Sequence, residues 1–103
     1  SINASTIKFS FLDKKMKVPH MGWNLVKKST TSLLTADLEE ESRFYFVHSF
    51  YVKVKNRENS ILKTKYGLEF DSAIQNKNIY GAQFHPEKSH RFGMKLLKKF
   101  SKI

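Results

Sequence analysis

Ile7, Phe9 and Phe11 alternate with Lys8, Ser10 and Leu12 across residues 6–12 (TIKFSFL), the period-two signature of a half-buried strand. Residues 13–24 (DKKMKVPHMGWN) sustain no period and contain Pro19 and Gly22, so they read as a loop carrying His20, Met21 and Trp23. Residues 29–42 are polar and close on Glu39, Glu40 and Glu41; turns and at most one helical turn are expected there. The strongest strand signal is 43–55 (RFYFVHSFYVKVK), apolar on both faces in its first half and cleanly alternating in VKVK, which predicts one strand running from buried to exposed. The polar NREN at 56–59 is turn chemistry, and ILKTKYG should return as the antiparallel partner of 43–55. Residues 68–74 (LEFDSAI) and 78–84 (NIYGAQF) predict a second hairpin around QNKN.

From His90 onward the period changes. Phe92, Leu96, Leu97, Phe100 and Ile103 fall at helical spacing, with Ser89 placed to act as N-cap. Lys95, Lys98, Lys99 and Lys102 load the last turns and complement the helix macrodipole without needing a functional explanation. No internal repeat, low-complexity tract or domain boundary interrupts the chain.

Composition narrows the class. With 103 residues, 40% hydrophobic positions and nine Phe, four Tyr and one Trp, the chain suffices for one small core and no more. A net charge of +10 suggests a polyanionic partner. The lysines are scattered, however, and only three of the nineteen cationic residues are Arg, the better reader of bases and phosphates. A solvated lysine surface is therefore expected rather than a nucleic-acid face. Cysteine is absent, which excludes a disulfide framework, a thiolate metal site and a thiol nucleophile, and fits a reducing compartment. No apolar run approaches the roughly 20 residues that span a bilayer, and SINASTIKF lacks the apolar stretch of a signal peptide. The expectation is a cytoplasmic protein without membrane contact, starting at Ser1 as a processed product or as a piece of a longer protein.

A histidine that activates a nucleophile needs a carboxylate to hold its tautomer and stabilise the imidazolium. His85 and Glu87 stand two residues apart with Pro86 fixing the backbone between them, and alternation in an extended segment brings both to one side. The pair suits a base and its orienter; His85 equally suits a solvent-facing loop histidine. A metal ligand is the poorest fit, since no HExxH run or Cys/His spacing is present. His48, inside the most apolar strand, reads as a core or rim histidine bonded to backbone. His20 and Trp23, in a cluster of Pro, His, Met, Gly, Trp and Asn, read either as a partial core plug or as an interface. No Gly-rich phosphate loop or Ser/Thr elbow occurs, so no cofactor is expected and any nucleophile must be borrowed.

Four segments in order, 18–24 (VPHMGWN), 45–49 (YFVHS), 70–74 (FDSAI) and 78–89 (NIYGAQFHPEKS), followed by GMKLLKKF, resemble the C-terminal half of class I (triad) glutamine amidotransferases. PHMGWN resembles in particular the glutaminase subunit of imidazole glycerol phosphate synthase and its relatives that feed ammonia into surface amino-sugar synthesis. The resemblance covers nearly the whole chain. It implies an α/β fold: the C-terminal half of a flavodoxin-like amidotransferase domain, with a mixed sheet containing antiparallel strands, a C-terminal helix, and residues 1–103 as part of one domain. It implies His85 as general base and acid and Glu87 as its orienter. The backbone around Ser49 and Phe50 would hold the α-carboxylate of the substrate glutamine, Phe50 standing where the family often has Tyr. Trp23, Asn24, Tyr45 and Lys88 match positions at the junction with the synthase partner, a cyclase-type (β/α) barrel to which ammonia passes within a heterodimer.

The family's first half, which carries the oxyanion-forming glycine strand and the nucleophilic cysteine, has no counterpart in these residues. The resemblance therefore implies an enzyme as the full-length protein, and 1–103 alone as a base without its nucleophile, inactive by itself. Two other classes are set against it. A non-catalytic docking module would bind a partner independently of His85, and a basic nucleic-acid module would show binding that falls steeply with salt.

Overall fold

A strand buried on both faces needs a neighbour on each edge, and residues 70–73 of the run Leu68–Asn76 are all buried. The computed structural model describes residues 2–11 and 16–103. Its strands are β1 (Ala4–Lys8), β2 (His20–Leu25), β3 (Lys27–Lys28), β4 (Arg43–His48), β5 (Phe50–Val54), β6 (Ser60–Tyr66), β7 (Leu68–Asn76) and β8 (Ile79–Ala82), and its helix is α1 (His90–Phe100). β7 is the central strand of a sheet ordered β1-β5-β7-β6-β3, with β8 also paired to β7, while β2 and β4 form a separate antiparallel pair. Every strand pairing among the described residues is antiparallel.

The expected hairpin of 68–74 with 78–84 forms, as β7 and β8, with Ala73 opposite Ala82 and Asn76 opposite Ile79. The expected continuous strand 43–55 does not. It breaks at Ser49 into β4 and β5, which join different sheets. Residues 60–66 accordingly do not return along it: β6 pairs with β7 and β3, whereas β5 pairs with β1 and, through Val52 and Asp71, with β7. The NREN turn forms as a 3-10 turn, with Asn56 Oδ1 accepting the Glu58 N–H at 3.0 Å.

The expected loop 13–24 is also corrected in part. Residues 12–15 lie outside the described residues, but His20–Leu25 is strand β2, paired residue for residue with β4. The alternation is present there but hidden. His20, Gly22 and Asn24 turn inward and Met21, Trp23 and Leu25 outward, so the inward positions are polar or small and a hydrophobic scan passes over them. Gly22 has φ of +120°, a backbone that side chains with a Cβ rarely adopt. β1 is shorter than expected and its five residues are exposed as the sheet's edge; burial begins at Phe9, whose N–H donates to the Ser49 carbonyl at 3.0 Å.

The core is aromatic. Phe9, Phe44, Phe46, Phe70 and Phe84 pack with Leu34, Leu38, Ile61, Leu62 and Leu96, and Phe44 stacks on Phe84 at 4.1 Å. Each fully buried ring of this kind contributes about 2–3 kcal/mol relative to exposure. Asp71 is buried among these strands; burial raises its carboxyl pKa, but Lys63 Nζ at 2.8 Å and the Val54 N–H at 3.0 Å outweigh that and hold it below its ordinary value. Asp71 thereby ties β5, β6 and β7 together.

α1 forms where the sequence predicts it, burying Leu96 and leaving Leu97 and Phe100 largely exposed. Ser89 occupies the N-cap position, yet its hydroxyl makes no cap hydrogen bond to the helix. Among the described residues no helix is long and apolar enough to cross a membrane.

Candidate functional site

Phe84 forms a single antiparallel bridge to Phe46, and the next residue, His85, donates its backbone N–H to the Tyr45 carbonyl at 2.9 Å. The chain therefore runs beside β4 until Pro86, whose fixed φ starts a 3-10 turn over Pro86–Lys88. His85 keeps extended dihedrals at the mouth of that turn, which sends its ring toward Glu87. His85 Nδ1 and Glu87 Oε1 are 2.9 Å apart. A carboxylate only accepts, so Nδ1 carries the proton and Nε2 is left as the nitrogen for proton exchange. The bond from its own backbone N–H, then that from His85, holds the Glu87 carboxyl below its ordinary value. The expected dyad is thus brought together, on a half-exposed turn.

Two residues that sequence reasoning places in other roles, or passes over, hold this turn. Ser89 is fully buried; its hydroxyl donates to the His85 carbonyl at 2.6 Å and accepts the Tyr45 N–H at 3.0 Å. That double use is why it does not cap α1. Gly93 sits where α1 presses on the turn: a Cβ there would lie 1.7 Å from the Pro86 carbonyl oxygen, so no other residue fits without moving one of them. A glycine inside a helical pattern is the available signal.

At the other end of β4 lies the Ser49–Phe50 break. The Ser49 carbonyl accepts from Phe9 N–H, and the Phe50 carbonyl lies 2.7 Å from His48 Nδ1. His48 Nε2 is 2.8 Å from His20 Nδ1, and His20 Nε2 is 3.2 Å from Asn24 Nδ2. The two histidines face each other because the β2–β4 register places His20 opposite His48. His20 is stacked on Tyr66 at 4.0 Å and on Phe46 at 4.9 Å. Burial, then the neighbouring His48, lowers the His20 pKa to about 4; burial also lowers His48, against opposing contributions from the Phe50 carbonyl and the Gln83 side chain. Both rings are neutral near pH 7. In the sequence each stands alone, one as a core histidine and one as a loop histidine, and the register that joins them depends on the unanticipated β2.

The four residues matched to a partner junction separate. Trp23 and Tyr45 stand opposite each other on the outer face of β2–β4, ring centroids 6.0 Å apart, and Trp23 stacks on His90 at 5.5 Å. With Met21, Leu25 and Val47 exposed beside them, they form an apolar face larger than isolated surface residues would. Lys88 is exposed on the turn after Glu87. Asn24 lies on the opposite face of β2, its amide donating to the Lys65 carbonyl at 3.0 Å and its Oδ1 accepting the Leu25 N–H. Among the described residues, no three His, Asp or Glu side chains gather in a geometry that could hold a metal ion.

The sequence profile of the class-I glutamine amidotransferase family matches residues 3–103. Among curated proteins, imidazole glycerol phosphate synthase subunit HisH 2 of Methanococcus maripaludis is 56% identical over 101 residues, which is 98% of this chain and 50% of the relative. Subunit HisH of Bdellovibrio bacteriovorus is 56% identical over 85 residues, covering 82% of this chain and 42% of its own length. HisH 2 of Pseudomonas aeruginosa is 43% identical over 102 residues, or 99% and 50% of the two chains. The chain spans about half the length of the curated relatives it matches. A crystal structure of a Thermoplasma acidophilum protein, described provisionally as one subunit of GMP synthase, superposes with a TM-score of 0.68 at 21% identity over 94% of this chain and 46% of the other. That likeness carries the α/β architecture, an antiparallel sheet closed by a C-terminal helix.

Proposed function

The chain belongs to the class-I glutamine amidotransferase family, and from that premise we propose that it is the acid–base half of a glutaminase that supplies ammonia to imidazole glycerol phosphate synthase in histidine biosynthesis. The observation that carries this reading is the 2.9 Å contact between His85 Nδ1 and Glu87 Oε1. Residues 1–103 form the C-terminal part of a single amidotransferase domain, and the cysteine comes from the remainder of that domain. His85 Nε2 takes the thiol proton, and the thiolate sulfur bonds to the side-chain amide carbon of glutamine. The same proton then goes to the amide nitrogen, the C–N bond breaks, and ammonia leaves. Water, losing a proton to His85, attacks the thioester; the C–S bond breaks, the proton passes from His85 to the cysteine sulfur, and glutamate is released. Glu87 holds the imidazole and stabilises its charged form.

Substrate orientation falls to the Ser49–Phe50 turn, whose backbone receives the α-carboxylate. Trp23, Tyr45 and Lys88 meet the synthase, a cyclase-type (β/α) barrel, and ammonia is channelled to it within a cytoplasmic heterodimer. Asn24 contributes to that junction from behind, by holding β2. The reading requires no cofactor, nucleic acid or membrane.

The test is glutamine hydrolysis by the protein that joins this chain to its cysteine-bearing half. Replacing His85 by Ala should lower the rate by about 10²–10⁴-fold while partner binding persists; an unchanged rate rejects the assignment. 6-Diazo-5-oxo-norleucine should add one adduct to that protein, on the cysteine.

A further inference from the structure

We infer that His20 and His48 are positioning residues: a one-directional hydrogen-bond chain from Asn24 through both rings to the Phe50 carbonyl fixes the Ser49–Phe50 turn for glutamine. This rests on the reading that the turn receives the substrate α-carboxylate.

The direction of the chain follows from its ends. The Phe50 carbonyl only accepts, so His48 Nδ1, 2.7 Å away, carries a hydrogen. A neutral ring then has Nε2 free to accept, and the 2.8 Å contact requires the hydrogen on His20 Nδ1. His20 Nε2 accepts in turn from Asn24 Nδ2, whose second hydrogen goes to the Lys65 carbonyl and whose oxygen takes the Leu25 N–H. The assignment is single-valued: reversing any member sets two donors face to face. Buried networks of this sort rigidify what they touch when every member is satisfied.

What they touch is the break between β4 and β5. A carboxylate is bound by N–H groups and repelled by carbonyl oxygens. Both carbonyls of the turn are held by protein donors, Ser49 by the Phe9 N–H and Phe50 by His48, so the oxygens are turned away from a bound anion. The Phe50 peptide is also held by β5, where Phe50 and Tyr51 lie opposite Lys8 and Ile7 of β1; the His48 bond adds a second restraint, on its oxygen. The stacking of His20 between Tyr66 and Phe46 fixes the far end.

The experiment compares two variants in the whole protein, with its cysteine-bearing half and synthase partner. Asn places an amide nitrogen where Nδ1 stands; Gln reaches Nε2 and gives up Nδ1. His48→Gln should raise KM for glutamine by about tenfold, the loss of one well-placed hydrogen bond, with kcat little changed. His48→Asn keeps the bond to the Phe50 carbonyl but gives up the one from His20, and should raise KM by a smaller step, about threefold. A purely structural role would instead lower the fraction titrated by 6-diazo-5-oxo-norleucine equally in both and leave KM alone, and that result overturns the inference. Phe50→Pro, which deletes one N–H of the turn, separates the underlying reading. If it raises KM while His48→Gln does not, positioning by the histidines fails and the carboxylate site stands; if neither raises KM, both fail. Should the variants not fold, nitrogen NMR of the parent rings decides: hydrogen on Nδ1 of both His20 and His48 at pH 7 supports the chain, and hydrogen on Nε2 of either refutes it.

Discussion

Both polar backbone groups of Tyr45 are committed to the turn that carries His85: the Tyr45 carbonyl accepts the His85 N–H at 2.9 Å, and the Tyr45 N–H donates to Ser89 Oγ at 3.0 Å. The Tyr45 side chain meanwhile packs against Trp23 on the outer face of β2–β4. One residue of β4 thus has its backbone on the candidate base and its ring on the candidate partner face. The opposite face of the same strand holds His48 and ends in the Ser49–Phe50 turn. Under the proposed function, proton transfer, substrate orientation and docking would all be referred to β4, and a displacement of that strand would be felt at each of them.

Replacing Glu87 by Gln tests the dyad with least disturbance of the fold. The amide oxygen can still accept from His85 Nδ1, but it carries no charge to stabilise an imidazolium. In the whole protein kcat for glutamine hydrolysis should fall by about 10²-fold or more. The unfolding midpoint should hardly move, because Glu87 is exposed. A full rate would remove Glu87 from the mechanism.

Gly93→Ala should damage the same chemistry from a distance. Its Cβ would meet the Pro86 carbonyl oxygen at 1.7 Å, forcing α1 and the turn apart at a cost of about 1–3 kcal/mol. Thermal unfolding should shift down. The rate per folded molecule should fall as well, since the His85–Glu87 contact rides on the turn that must move. Loss of stability with an undiminished rate per active site would show that the turn tolerates the shift.

How much of this is legible in the sequence varies from one element to the next, for physical reasons. The β7–β8 hairpin and α1 are readable because their pattern is local: QNKN is flanked by apolar runs, and Leu96 and Phe100 recur at helical spacing. The break at Ser49 is not, because residues on its two sides are equally suited to strands and only their different partners separate them. β2 escapes because its inward residues are His20, Gly22 and Asn24, held inside through hydrogen bonds and ring stacking rather than through apolarity. At the site, the spacing of His85 and Glu87 suggests that they meet, but a 3-10 turn over Pro86–Lys88, and not the expected alternation of an extended segment, brings them together. The parts played by Ser89 and Gly93 are not visible in the sequence, since each acts on backbone atoms that only the fold brings near.

Acid should loosen the β2–β4 hairpin before it affects the carboxylates. Histidine in the unfolded chain takes up a proton near 6.5, whereas His20 in the fold does so only at about 4, and His48 is shifted in the same direction. Between those values the unfolded state binds more protons, so stability is whole above pH 6.5 and declines as the pH falls toward 4. The slope is up to about 1.4 kcal/mol per pH unit for His20, and His48 acts in the same direction. Asp37, Asp71 and Glu87, whose folded values are also lowered, weaken the fold only at more acid pH. Denaturant midpoints at pH 7.5 and 5.0 should therefore differ in the parent protein, and the difference should shrink in His20→Gln. Equal midpoints in the parent would show that the pair accepts a proton in place.

Trp23→Ala addresses the outer face. The ring is 45% exposed and is held by Tyr45 and His90 rather than by the core, so its removal should change stability little. If the face carrying Met21, Trp23, Leu25 and Val47 meets the synthase, truncation at its centre should weaken the complex by about tenfold or more, as loss of a buried aromatic anchor does. Glutamine hydrolysis measured without the partner should persist while partner-dependent use of the ammonia declines. The two rates, followed together with the dissociation constant, separate docking from chemistry: an unaltered constant with intact coupling would move the interface off this face, and a parallel loss of both rates would place Trp23 with the catalytic turn, to which Tyr45 already connects it.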